Sequence, residues 1–124
     1  MPDLDAAIRF LRAHLSPHPD GHCALHVRQA LDAAGFDTTG HPGAAKLYGP
    51  FLERLGFVEL PADESVARLP GDVRVWQGPP TDEWGHVAMW SGGAWDADFA
   101  MRSDLPGSSF AGTPFATFRF AVGS

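Results

Sequence analysis

The sequence is poor in cysteine. Cys23 is the one cysteine in 124 residues, which excludes an intramolecular disulfide and any C-x-x-C metal knuckle. Positive charge is short as well: nine Lys and Arg stand against fifteen Asp and Glu, a formal net charge of −6. That balance excludes the basic face of a nucleic-acid binder and docking on an anionic membrane surface. No apolar run approaches the length of a bilayer span. The opening residues, MPDLDAAIRFLRAHL, lack the basic start and apolar block of a Sec signal peptide. The expectation is synthesis in the cytoplasm, with any action elsewhere depending on another carrier.

Apolar residues make up 44% of the chain, enough for a core, while 14 Gly and 11 Pro predict short elements joined by many loops. The length fits one domain, residues 1–124. Leu4, Ile8, Leu11 and Leu15 form a helical stripe behind an Asp3 N-cap, with Pro17 as the stop. CALHVRQALDAAG reads as a second helix, with Cys23, Val27, Ala30, Leu31 and Ala34 on one side and Gly35 after it. Residues 44–55 predict a third, kinked or split at Gly49-Pro50. Beyond Gly56 the pattern changes to strands at 57–60, 73–77, 85–90, 94–99 and 115–122, with a hairpin turn at Ser91-Gly92-Gly93. Helices first and antiparallel strands second make an α+β fold.

Chemistry concentrates at Cys23. It opens the second helix, where the positive end of the dipole favours a thiolate and the first-turn N–H groups are free to receive an oxyanion. A nucleophile needs a base. Of six histidines, His86 stands apart: it starts the strand GHVAMW behind a glycine that permits close approach, and the expectation is that it lies on the sheet face turned toward the helix. His14, His18, His22 and His26 recur every four residues, but Pro17 and Pro19 break any continuous helix through them. The best metal set would be His22, His26 and His86, without the H-E-x-x-H signature, so no metal or other cofactor is implied. Trp84, in the loop before Gly85-His86, is a candidate for the rim of a substrate cleft, and His22 for a neighbouring contact. Trp76, Trp90 and Trp95 read as packing.

A cysteine opening GHCALHVRQALDAAG, then GDVRVW, then GHVAMW with a small-residue turn and an acidic strand, resembles the papain-like cell-wall amidases of the NlpC-type and CHAP superfamily. Within it the resemblance is closest to the amidase effectors of type VI secretion systems. It implies a papain-like fold with N-terminal helices packed on an antiparallel sheet, and Cys23 as nucleophile with His86 as base. It further implies hydrolysis of an amide bond in peptidoglycan stems or crosslinks. Delivery into the periplasm of a target bacterium, a secretion-apparatus component and a cognate immunity protein follow from the same resemblance.

The third catalytic residue depends on hairpin register. A three-residue loop sets Trp90 opposite Ala94 and His86 opposite Asp98, so that Asp98 orients the imidazole and Asp96 lies diagonally. A two-residue loop puts Phe99 opposite His86 and turns both aspartates to the other face, leaving a Cys–His dyad. Other readings are a non-catalytic cell-wall or protein-binding module, a zinc hydrolase, and a deamidase or transglutaminase acting on protein side chains.

Overall fold

A computed structural model describes residues 2–62 and 66–121. Asp3 accepts the Ala6 N–H at 3.3 Å and caps α1 (Leu4–Ala13), whose buried stripe is Ala7 and Leu11. The Asp3 N–H donates to the Ala34 carbonyl at 2.8 Å, tying the start of α1 to the end of α2 (Cys23–Ala34). Val27, Ala30 and Leu31 of α2 are fully buried, and Gly35 closes the helix with φ 99°. The third helical segment is split, but before Tyr48 and not at the expected Gly49-Pro50. A 3₁₀ turn (Ala45–Leu47) leads into α3 (Tyr48–Arg54), where Pro50 falls in the first turn and removes no intrahelical N–H bond.

The strands are shorter than their sequence patterns: β1 Phe57–Glu59, β2 Val73–Trp76, β3 His86–Trp90, β4 Trp95–Asp96 and β5 Phe115–Phe120. Val122, which the sequence pattern includes in the last strand, lies outside the described residues. The sheet order is β1-β5-β2-β3-β4, with every neighbouring pair antiparallel. Register puts Val73, Val75, Val87, Met89, Asp96 and Phe118 on one face. That is the helix side: Gly49 of α3 lies against the Phe118 ring, and Arg12 of α1 reaches both oxygens of the buried Asp96 at 3.1 and 3.2 Å. The other face carries Trp76, with Trp95 edge-on at 5.8 Å and Arg74 stacked 4.7 Å from the Trp95 ring.

The hairpin register differs from the three-residue expectation. Trp90 pairs with Trp95 and Met89 with Asp96, one residue out of step with the predicted pairing. The loop has four residues because Ser91 closes it: its N–H and hydroxyl both donate to the Ala94 carbonyl, at 2.9 and 3.1 Å. β4 then stops after two residues. Residues 97–99 bend sharply, the Ala97 N–H meets the Phe99 carbonyl at 3.1 Å, and Ala100 pairs back onto Asp96. Asp98 is therefore at the tip of a turn and is not opposite His86.

Candidate active site

The early end of β4 leaves the outer edge of β3 open beside His86, and the N-terminus of α2 fills that opening. The N-cap residue His22 makes no side-chain capping bond. Cys23 is half-buried there, with the backbone N–H groups of Val87 and Ala24 directed at its sulfur. A cleft of about 240 Å³ opens at this junction, and Cys23, Asp82, Trp84, His86 and Asp98 all line it. Phe99, Pro106 and Phe110 complete its apolar walls.

His86 reaches the cleft by a route other than the one expected. Its register partner is Trp76, which places it on the sheet face away from the helices. It enters the cleft because it is the first residue of its strand. Its ring packs against Trp76, Phe99 and Phe110 at centroid distances of 5.5, 6.0 and 6.4 Å. The residue is 7% exposed, and its Nε2 has no hydrogen-bond partner. Gly85 makes the approach possible. At φ 70° its backbone passes so close to the 3₁₀ turn that a Cβ would lie 2.6 Å from Lys46 Cβ and would strike the Trp76 carbonyl.

Burial governs the electrostatics. It pushes the Cys23 thiol up to about 11, with the charges of Asp98 and Asp82 adding to the rise and the Val87 and Ala24 N–H groups opposing it. Burial also pushes His86 down to about 4, against which the Asp82 charge acts. Desolvation outweighs the helix end that would favour a thiolate, so the Cys23 thiol and the His86 imidazole lining this cleft both rest neutral. The rate of Cys23 alkylation by iodoacetamide should therefore keep rising about tenfold per pH unit from about pH 6 to about pH 9. A plateau reached below about pH 8 would reveal a thiolate–imidazolium pair instead.

The other sequence candidates divide. Trp84 is 59% exposed on the cleft rim, and its carbonyl accepts the Lys46 N–H at 2.9 Å. His22 does not line the cleft; its side chain is 64% exposed and its Nδ1 lies 3.3 Å from Asp20. His26 also turns to Asp20, at 3.4 Å, so His22, His26 and His86 are not gathered as a ligand set among the described residues. Asp96 anchors α1 and stays out of the cleft. Asp98 does share the cleft with Cys23 and His86, yet no hydrogen bond joins its carboxylate to the imidazole: its Oδ2 holds backbone N–H groups and its Oδ1 has no partner. Sequence reasoning missed Asp82, whose proximity to His86 depends on the path of loop 78–84. It also missed Asp20, for which the turn signal Asp20-Gly21 was the available clue.

Neither a protein-family model nor a curated protein matches the sequence. Two solved structures do. One is the native type VI effector–immunity complex Tae3–Tai3 from Ralstonia pickettii, whose matching chain is 30% identical with a TM-score of 0.86, over 96% of this chain and 99% of that one. The other is the selenomethionine form of the same complex, also 30% identical, with a TM-score of 0.82 over 91% of this chain and 98% of that one.

Proposed function

The chain belongs to the family of the type VI effector Tae3, and from that premise we propose that it is a cysteine-dependent peptidoglycan amidase, delivered as an antibacterial toxin. The observation that carries the reading is the convergence of Cys23, at a helix end with no side-chain cap, and His86, with a partnerless Nε2, in one cleft. In this reading the fold is the papain-like arrangement of NlpC-type and CHAP enzymes, with the helix-borne cysteine first in sequence and the strand-borne histidine second.

His86 takes the thiol proton as the sulfur bonds to the amide carbonyl carbon. Because both groups rest neutral, proton transfer and C–S bond formation proceed together. First-turn N–H groups of α2 receive the oxyanion. When the tetrahedral intermediate collapses, His86 returns the proton to the departing amine. Water, deprotonated by His86, then cleaves the thioester and restores the thiol. Trp84 forms one wall of the substrate groove. A cognate immunity protein is the natural partner, as Tai3 is for Tae3.

Digestion of purified sacculi, with separation and mass analysis of the muropeptides, tests the reading and identifies the bond cut. Shortened stems or split crosslinks are the expected products, and an unchanged muropeptide profile would remove the proposal. Compartment supplies a second test. Expression in the bacterial cytoplasm should be harmless, whereas fusion to a periplasmic export signal should lyse the cells. Equal toxicity in both would point to a cytosolic target such as a protein side-chain amide.

A further inference from the structure

Asp98 is 1% exposed, and its hydrogen bonds all run toward the segment that leads into Cys23. Its Oδ2 accepts the N–H groups of Asp20 and Gly21, at 2.8 and 3.2 Å, and its own carbonyl accepts the Ser16 N–H at 2.7 Å. The turn after β4 thus grips loop 14–22 at both ends. Asp20 extends the grip into α2. One oxygen accepts the His22 N–H at 2.9 Å and lies 3.3 Å from His22 Nδ1, while the other lies 3.4 Å from His26 Nε2, one helical turn beyond Cys23. The two carboxyl groups also act on each other: the Asp98 side chain pulls Asp20 down and the Asp20 carboxyl pushes Asp98 up.

We propose that Asp98 and Asp20 form a carboxyl clasp, whose work is to fix the loop carrying Cys23 rather than to orient the His86 ring. The proposal rests on Cys23 being the nucleophile. Backbone N–H groups in a half-buried loop need acceptors, and a carboxylate is a strong one. Two carboxylates side by side hold together only when a shared proton or a nearby cation compensates them. Burial pushes Asp98 up; the Asp20 N–H bond opposes the rise and the Asp20 carboxyl adds to it, so Asp98 is the member of the pair that takes up a proton first. Burial pushes Asp20 up as well, but the Asp98 hydrogen bond, the His22 N–H and the charges of His26 and His22 outweigh it and hold Asp20 below the usual carboxylate range. The carboxyl–carboxyl contact is accordingly tightest while Asp98 is protonated and weakens as pH rises through its raised pKa, whereas the N–H bonds to Oδ2 favour the ionised form. Cys23 is the other titratable group that feels Asp98.

Three variants test the clasp by turnover and by thiol reactivity. In Asp98→Asn the side-chain carbonyl still accepts both N–H groups and the amide donates to Asp20. It should keep about a third or more of wild-type kcat on sacculi, whereas Asp98→Ala should fall about 30-fold or more. Asp20→Ala should lower kcat about tenfold with KM little changed. Both Asp98 variants remove the charge, but only alanine releases the loop, so Cys23 should alkylate about tenfold faster in Asp98→Ala than in Asp98→Asn. Equal alkylation rates would overturn the clasp, and that comparison needs no substrate, so it stands even if sacculi prove not to be the target. A loss of about 1,000-fold or more in folded Asp98→Asn would also overturn it, because that is the signature of a carboxylate acting on the catalytic imidazole. If Asp98→Ala does not fold, the Asp98→Asn turnover decides alone; where sacculi are not cut, Asp20→Ala replaces it in the alkylation comparison, and no acceleration over wild type overturns the clasp.

Discussion

Cys23→Ala should lower sacculus hydrolysis by more than about 1,000-fold, because removal of a covalent nucleophile leaves only the residual effects of binding and the oxyanion site. Cys23→Ser should fare little better. The resting imidazole is neutral and a hydroxyl is much harder to deprotonate than even the raised thiol, so His86 has no easy proton to take. Neither change should threaten the fold. Cys23 is half-buried at a helix end, outside the fully buried cluster of Val27, Ala30 and Leu31, so the cost should be about 1 kcal/mol or less. Thermal unfolding of the purified variants checks that half of the statement, and muropeptide release checks the other. A tenth of wild-type turnover surviving in Cys23→Ala would take the cysteine out of the chemistry.

The second large effect is expected away from the reacting atoms, at Gly85. Gly85→Ala should cost about 3 kcal/mol or more and should lower turnover even where the protein remains folded. The backbone at φ 70° is already unfavourable for alanine, and the added methyl collides with the Trp76 carbonyl and with Lys46. Lys46 has little room to retreat. Its N–H donates to the Trp84 carbonyl at 2.9 Å, and its own carbonyl accepts from Gln77 Nε2 at 3.1 Å. On the other side Trp76 is fully buried and is the register partner of His86, so relief of the clash must shift the imidazole. Urea unfolding measures the stability loss, and kcat of the folded fraction measures the displacement. A midpoint and kcat both equal to wild type would show that the close approach at Gly85 has no bearing on His86.

The parts of this molecule that are legible in its sequence are those set by local periodicity. The stripe Leu4, Ile8, Leu11 and the run from Cys23 to Ala34 are helices because their apolar residues recur at helical spacing; the third segment does split, though before Tyr48 and ahead of the Gly49-Pro50 break that its sequence suggests. The pairing of Cys23 with His86 in one cleft is anticipated by residue type and order. What escapes is set by single tertiary contacts. Ser91 adds a residue to the hairpin loop, and that one residue moves Asp98 from opposite His86 to a turn tip where it holds the Asp20 and Gly21 N–H groups. The thiol pKa escapes for the same kind of reason: the apolar surroundings that raise it come from segments more than fifty residues away in sequence.

The position of β5 in the sheet governs when this site can exist. Residues 115–120 are the last strand among the described residues, yet they lie between β1 and β2, pairing Phe57 with Phe120 on one side and Trp76 with Phe115 on the other. As the chain leaves the ribosome, α1 and α2 can collapse on each other early, and the β2–β3 ladder can form without help. Among the described residues β1 has no partner in the sheet other than β5, and α3 is held against the Phe118 ring of that same strand. Until β5 inserts, the 3₁₀ turn that presses on Gly85 is held by β2, β3 and its own hydrogen bonds but lacks an α3 anchored on Phe118, and the sheet beneath the site is incomplete. Such long-range closure is slow compared with helix pairing. Catalytic competence should thus appear as a late, all-or-none event in refolding, lagging behind the recovery of helical signal.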